Sequence, residues 1–315
     1  MIKTSLIKHA IIFFLFAISL STYFCGCRQS DSKEQLETSD DIELYSDTIP
    51  FLLENKDIFV PQARKIILKT SINEIEFYSC IDNGAPYTFL RIDLYHKLFD
   101  DSGNYENVSK NTILKSVDLN IKLNNFSLPL KTIALLNQSV GLILENARYD
   151  VSAIVGLDLF ENYILKFDFI DKNMIVCNIL PDEVREFQFI KLFRDSVHIE
   201  KFRNLRRVKV DGFKLQNGET VSGTFFVDLG AHATIMNSNS RLYKEMDIQS
   251  TLMDEKSWAT KLISLTELHK GVDVHRGDPK TFEEMGVDGV IGMDFLTQFD
   301  LIFDYQNNMM YLKKN

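Results

Sequence analysis

From Arg64 onward, the chain alternates short apolar runs with turn residues, and no stretch sustains a long period of 3.6. Arg64 to Ile72, the pair Asn73-Glu74, then Ile75 to Ile81 predict strand, tight turn and strand. Leu205 to Leu215, the Asn217-Gly218 pair and Thr220 to Val227 predict a second hairpin, because Asn-Gly supplies the positive φ that a two-residue turn needs. The pattern points to a mostly β protein.

The two hairpins run into the same motif. Asp82-Asn83-Gly84-Ala85 is followed by Thr88, and Asp228-Leu229-Gly230-Ala231 by Thr234, so D-x-G-A-x-x-T occurs twice, each time after an apolar strand. A second motif also recurs. Ala153 to Phe160 (AIVGLDLF) ends in Ile164 to Asp168, and Gly289 to Leu296 (GVIGMDFL) ends in Leu301 to Asp304. The second motif repeats at an offset of 136 residues and the first at 146, a difference that intervening loops absorb. Two motifs in the same order in each half imply a duplicated unit. The halves divide near Pro181 to Arg194, a charged stretch suited to a linker, giving lobes over 57–183 and 184–315.

An Asp at the end of an apolar strand, followed by x-Gly-Ala, sits on a tight turn where Gly admits close backbone approach. One such turn is unremarkable. Two of them, brought face to face by a pseudo-twofold axis, would place two carboxyls in contact. Such a pair shares a proton and supplies one base and one acid, suited to activating water against a carbonyl.

At these residues the sequence resembles the retropepsin-like aspartic peptidases, which carry D-[ST]-G-A at the catalytic turn and an apolar-apolar-Gly element behind it. The resemblance spans about Arg64 to Leu312 as two fused copies. Ala85 and Ala231 match the retroviral type of turn, and Gly292 to Gln298 follows the family's Gly-rich element and short helix. It implies a mostly β, two-lobed pepsin-like acid protease fold built from two retropepsin-like β-barrel halves. It also implies catalytic roles for Asp82 and Asp228, with Asn83, Gly84, Ala85, Thr88, Leu229, Gly230, Ala231, Thr234, Gly156 and Gly292 supporting the turns. The implied activity is peptide-bond hydrolysis without cofactor or metal. The chain departs from the family after each Asp, where a Thr or Ser hydroxyl normally bonds across the two turns: here stand Asn83, which can hydrogen-bond, and Leu229, which cannot. The alternative is a catalytically weak relative that binds peptides or partner proteins.

The N-terminus carries an address. Lys3 and Lys8 precede an apolar run from Ala10 to Ile18, too short to span a bilayer and suited to a secretory h-region. Gly26-Cys27 resembles the end of a bacterial lipoprotein signal, which implies removal of 1–26, lipidation of Cys27 and a place in the cell envelope. The acidic, Ser-rich stretch within 27–56 then reads as a tether.

Composition adds exclusions. With 35 Lys+Arg against 44 Asp+Glu the net charge is −9; loss of Lys3 and Lys8 makes it −11. That balance argues against binding nucleic acid through its phosphates, and against membrane attachment by a basic face. Of the 4 cysteines, Cys80 and Cys177 would remain beside Cys27, either paired or as two buried thiols. His269, Asp273, His275 and Asp278 match no metal-binding spacing. His232 and Trp258 are candidate cleft residues. Asp158 and Asp294 read as caps on free helix N–H groups, and Asp168 and Asp304 as hairpin residues. G-x-S-x-G, Walker A and G-x-G-x-x-G are all absent.

Overall fold

The computed structural model describes residues 46–54, 65–99, 113–136, 149–194, 205–214, 217–245, 275–277 and 279–315. The signal-like segment, Cys27, Trp258, His269, Asp273 and Asp278 lie outside the described residues. The architecture is mostly β and two-lobed, as expected, with two sheets.

The N-terminal half is a barrel. β3 (Lys65–Ile72) and β4 (Ile75–Ile81) form the expected hairpin, and Asn73 and Glu74 both take positive φ, 48° and 65°. β5 (Thr88–Arg91) leads into the short helix α1 (Ile92–Phe99). β6 (Ile113–Leu123) and β7 (Phe126–Leu136) make a long hairpin, and β8 (Val151–Val155) follows. The order β3-β4-β8-β5-β7-β6 closes on itself through β3–β6 pairing, so its backbone groups find partners around the ring. Ile66, Leu68, Ile121, Leu128, Leu130, Ile133 and Leu135 fill the interior. Each such side chain contributes about 1.5–3 kcal/mol on burial.

The C-terminal half repeats this plan. β12 (Arg207–Lys214), β13 (Thr220–Val227), β14 (Ile235–Asn237), β15 (His275–Gly277) and β16 (Gly289–Ile291) run in the order β12-β13-β16-β14-β15. The pairings β13–β16 and β14–β15 are parallel, like β4–β8 and β5–β7. Among the described residues it also holds three short helices, α2 (Arg241–Glu245), α3 (Pro279–Met285) and α4 (Met293–Leu296). Among the described residues this half has no counterpart of β6.

A floor of six strands joins the halves: β1 (Ser46–Pro50), β10 (Asn173–Cys177), β9 (Ile164–Asp168), β17 (Phe299–Asp304), β18 (Met309–Lys314) and β11 (Gln188–Phe193). At its centre, β9 and β17 pair antiparallel, with Lys166 opposite Ile302. These two residues are equivalents at the 136-residue offset, so the pseudo-twofold axis of the duplication passes through this pair. Asp168 and Asp304 take the hairpin roles expected of them: Asp168 accepts the N–H groups of Ile170 and Asp171, and Asp304 that of Asn307.

The stretches expected as tether and as linker contain strands. Residues 46–54, within the expected tether, form β1 and β2 (Leu52–Glu54), and β2 adds to the barrel edge against β3. The expected linker forms a 3-10 turn over Asp182–Glu186 and then β11, which pairs with both β18 and β12. Cys80 and Cys177 are buried free thiols. Among the described residues no helix is long and apolar enough to cross a membrane.

Candidate active site

The two repeated motifs interlock within each half. The Asp82 N–H donates to the Val155 carbonyl at 3.0 Å, and the Leu157 N–H to the Ala85 carbonyl at 2.9 Å. The other half repeats this: Asp228 N–H to Ile291 O at 3.0 Å, and Met293 N–H to Ala231 O at 2.9 Å. Gly156 and Gly292 permit the crossing, since a Cβ at either would lie 2.3 Å and 2.5 Å from backbone atoms of Tyr87 and Ala233.

Thr88 and Thr234 clamp the crossing. Each hydroxyl accepts the N–H of the glycine behind it, Gly156 at 3.3 Å and Gly292 at 3.2 Å. Each then donates to the Asp two residues beyond that glycine: Thr88 to Asp158 at 3.0 Å, Thr234 to Asp294 at 2.8 Å. Asp294 also accepts the Thr234 N–H at 2.9 Å and the Phe295 N–H at 2.8 Å. Asp158 and Asp294 therefore bind one repeated motif to the other, rather than serving simply as helix caps. Burial pushes both carboxyls up to about 6. The identical placement of Thr and Asp in each repeat was the available signal for this role.

The interlocked turns carry Asp82 and Asp228 to the junction of the two halves. Their side chains hydrogen-bond to one another. Asp82 Oδ1 also accepts the N–H groups of Gly84 at 2.8 Å and Ala85 at 3.1 Å, and Asp228 Oδ1 that of Gly230 at 2.7 Å. Both residues are almost fully buried, at 6% and 5% exposure. Burial pushes both pKa values up. Asp228 rises further, because the charge of Asp82 opposes its ionisation while the shared hydrogen bond favours the ionised form of Asp82. Two carboxyls in this contact oppose each other's ionisation.

Asn83 ties the turns together. Its Oδ1 accepts the Leu229 N–H at 2.6 Å and its Nδ2 donates to the Val227 carbonyl at 3.0 Å, so one amide bonds on both sides of Asp228. Leu229, the equivalent residue, is fully buried in the main core. Ala85 and Ala231 are buried beneath their turns.

Gly230 and Gly84 bring backbone against the carboxyls. A Cβ on Gly230 would lie 2.3 Å from Asp82 Cγ; one on Gly84 would lie 3.0 Å from Asp82 Oδ1 and 3.1 Å from Asp228 Oδ2.

Further groups surround the pair. His232 is half-buried and neutral; burial, then the positive charge of Lys65, pushes it down to about 3. Tyr305 is buried, its pKa raised chiefly by that burial, and Arg206 stands over its ring at 5.6 Å. Neither Tyr305 nor Arg206 stands out in the sequence. No group of three metal-ligating side chains occurs among the described residues.

No family model and no curated protein sequence matches the chain. Among solved structures, an aspartic proteinase from Irpex lacteus is similar over 86% of this chain and 98% of its own, at 11% identity and a TM-score of 0.48.

Proposed function

We propose that the chain is an aspartic-type endopeptidase in which Asp82 and Asp228 activate a water molecule against a peptide carbonyl. The observation that carries this reading is the mutual hydrogen bond of two buried carboxyls on duplicated turns, held at the junction of the halves by Asn83. Two such carboxyls cannot readily ionise together, so at the working pH one is a carboxylate and one a carboxylic acid.

The chemistry balances with water alone. The carboxylate takes a proton from water as its oxygen bonds to the carbonyl carbon, and the acid gives its proton to the carbonyl oxygen. The resulting gem-diol collapses, the C–N bond breaks, and a proton passes to the departing amine. Backbone N–H donors fix the carboxyl orientations in advance, which lowers the reorganisation needed in the transition state. Attachment to the bacterial cell envelope through lipid on Cys27 belongs to the same proposal and rests on the sequence of the N-terminal segment alone.

The test is cleavage of an unbiased peptide mixture by the wild type, Asp82→Asn and Asp228→Asn. The proposal expects a bell-shaped pH profile for the wild type and near-total loss in either variant, since Asn keeps the shape without a titrating proton. Peptide binding without turnover, unaltered by either substitution, would leave a binding module instead.

A further inference from the structure

The two halves differ at one ladder position beside the carboxyls. In the N-terminal barrel, Ile67 pairs with Cys80, and continuing that antiparallel register sets Lys65 opposite Asp82. In the C-terminal half, Arg207 pairs with Phe226, and the same extension sets Leu205 opposite Asp228. Lys65 and Leu205 are thus equivalents under the duplication. Leu205 is buried in an apolar cluster with Phe226, Ala231 and Phe282. One carboxyl has an ammonium group on the strand beside it, and the other a hydrocarbon.

A symmetric pair would leave the retained proton equally on either Asp. Here Lys65, whose own ladder partner on β2 is the buried Glu54, stands on the strand beside Asp82, and Asp228 has Leu205 at the equivalent position. A nearby cation favours the ionised form of a carboxyl. We propose that Lys65 polarises the pair, keeping the negative charge on Asp82 and the shared proton on Asp228, so that Asp82 is the base and Asp228 the acid. The assignment of base and acid rests on the peptidase reading; the polarisation itself does not. Lys65 is a positioning residue, acting on the reaction through Asp82.

The other groups around the pair fit this direction. Lys65 draws down the pKa of Asp82 and of its strand neighbour Cys80, and it also acts on His232. Cys80, pushed up to about 11 mainly by burial, is a neutral thiol, and His232 is neutral, so neither offsets the ammonium; Glu54, opposite Lys65 on β2, is the carboxyl that tempers its field. On the other side, Asp228 faces the charge of Asp82 and the buried Tyr305, whose hydroxyl stays protonated; Arg206 acts on Tyr305. Asn83, which bonds on both sides of Asp228, carries no charge.

The test follows the two carboxyl carbons by NMR in the full chain labelled at Asp, with Asp82→Asn and Asp228→Asn used to assign the signals. In the wild type the lower titration step should belong to Asp82. Lys65→Met should raise that step by about one unit, the scale of one charge several ångströms away in a partly screened site, and Lys65→Arg should restore it. If the wild type turns over peptide, the acid limb of kcat/KM should move by the same amount. Should Lys65→Met fail to fold, Lys65→Gln serves in its place, and in a Glu54→Gln background Lys65→Met should still raise the step, which separates the effect of Lys65 from that of the carboxyl opposite it. A lower step that belongs to Asp228, or one that stays in place in a folded Lys65 variant, overturns the polarisation. A Lys65-dependent split in a protein without turnover supports the polarisation and removes the peptidase reading, so the two failures are separable.

Discussion

Asn83 and Leu229 occupy the same place in the two repeats, yet the amide of Asn83 makes the cross-half bonds and the Leu229 side chain makes none. Asn83 accepts the backbone N–H of Leu229 itself at 2.6 Å and donates to the carbonyl of Val227 at 3.0 Å, while the Leu229 side chain lies in the core. One planar amide holds an acceptor and a donor at fixed spacing, and so meets both backbone groups at once.

Asn83→Ala should therefore leave two buried backbone groups without partners. The expected cost is about 2–4 kcal/mol, read as a fall in Tm. The titration of the Asp82–Asp228 pair should shift with it, because the turn carrying Asp228 loses its tie. A variant with unchanged Tm and unchanged titration would show that the bonds contribute nothing.

Leu229→Thr replaces a fully buried core side chain with a smaller, polar one. It should lower stability by about 1–3 kcal/mol, measured by denaturant unfolding. The same substitution would add a hydroxyl beside the turn of Asp82, so peptide turnover, compared at a temperature where both proteins are folded, separates the two effects.

Gly230→Ala and Gly84→Ala should differ although they are equivalents. The new methyl on Gly230 would overlap the Asp82 carboxyl, 2.3 Å from its carbon and 2.5 Å from each oxygen, whereas that on Gly84 would meet Asp82 Oδ1 at 3.0 Å, Asp228 Oδ2 at 3.1 Å and Asp228 Cγ at 3.2 Å. A displacement near 1 Å at a reacting group costs about 100-fold in rate, so Gly230→Ala should lose at least that in kcat and Gly84→Ala clearly less.

Stability should fall as pH rises through the window set by Asp158 and Asp294. Burial holds both up to about 6 in the folded protein, and an unfolded Asp titrates near 3.9. Between these values the folded state keeps protons that the unfolded state has released. Their stabilising share is complete below about pH 4 and is lost on passing about 6. Asp82 and Asp228 act in the same direction. Asp294→Asn, which retains an oxygen for the Thr234 hydroxyl, should flatten the dependence of Tm on pH by one site's share, up to about 2–3 kcal/mol.

Cys80 and Cys177 should not respond to reductant. Both are buried free thiols with raised pKa values, so Tm should be the same with and without a reducing agent, and maleimide should label them only after unfolding.

Much of this architecture was legible where local chemistry decides the backbone. The β3–β4 and β12–β13 hairpins follow from apolar runs on either side of Asn73-Glu74 and Asn217-Gly218, and Gly218 takes φ +84°. The motifs around Asp82 and Asp228 were visible because they occur twice. What stayed hidden depends on partners remote in the chain. β1 shows one fully buried apolar residue, Ile49, and its conformation comes from pairing with β10. The β6–β7 hairpin turns through Asn124, at φ +56°, without a glycine to mark it. That Asn83 can hydrogen-bond was readable; that its partners flank Asp228 required the fold. The place of Lys65 beside Asp82 emerges only from the strand register.

The Lys166–Ile302 pairing at the centre of the floor means that neither half owns its base. Each contributes three of the six strands, and β9 and β17 meet across the pseudo-axis. Cut apart, each half would end in a bare strand edge whose natural complement is another strand of the same kind. Two copies of one half could satisfy that edge by setting residue 166 of one against residue 166 of the other. Fusion into one chain then did more than shorten a search for a partner. It freed the two halves to diverge, so that an asparagine could stand in one and a leucine in the other, and a lysine opposite one aspartate alone. No pair of identical subunits can hold such differences.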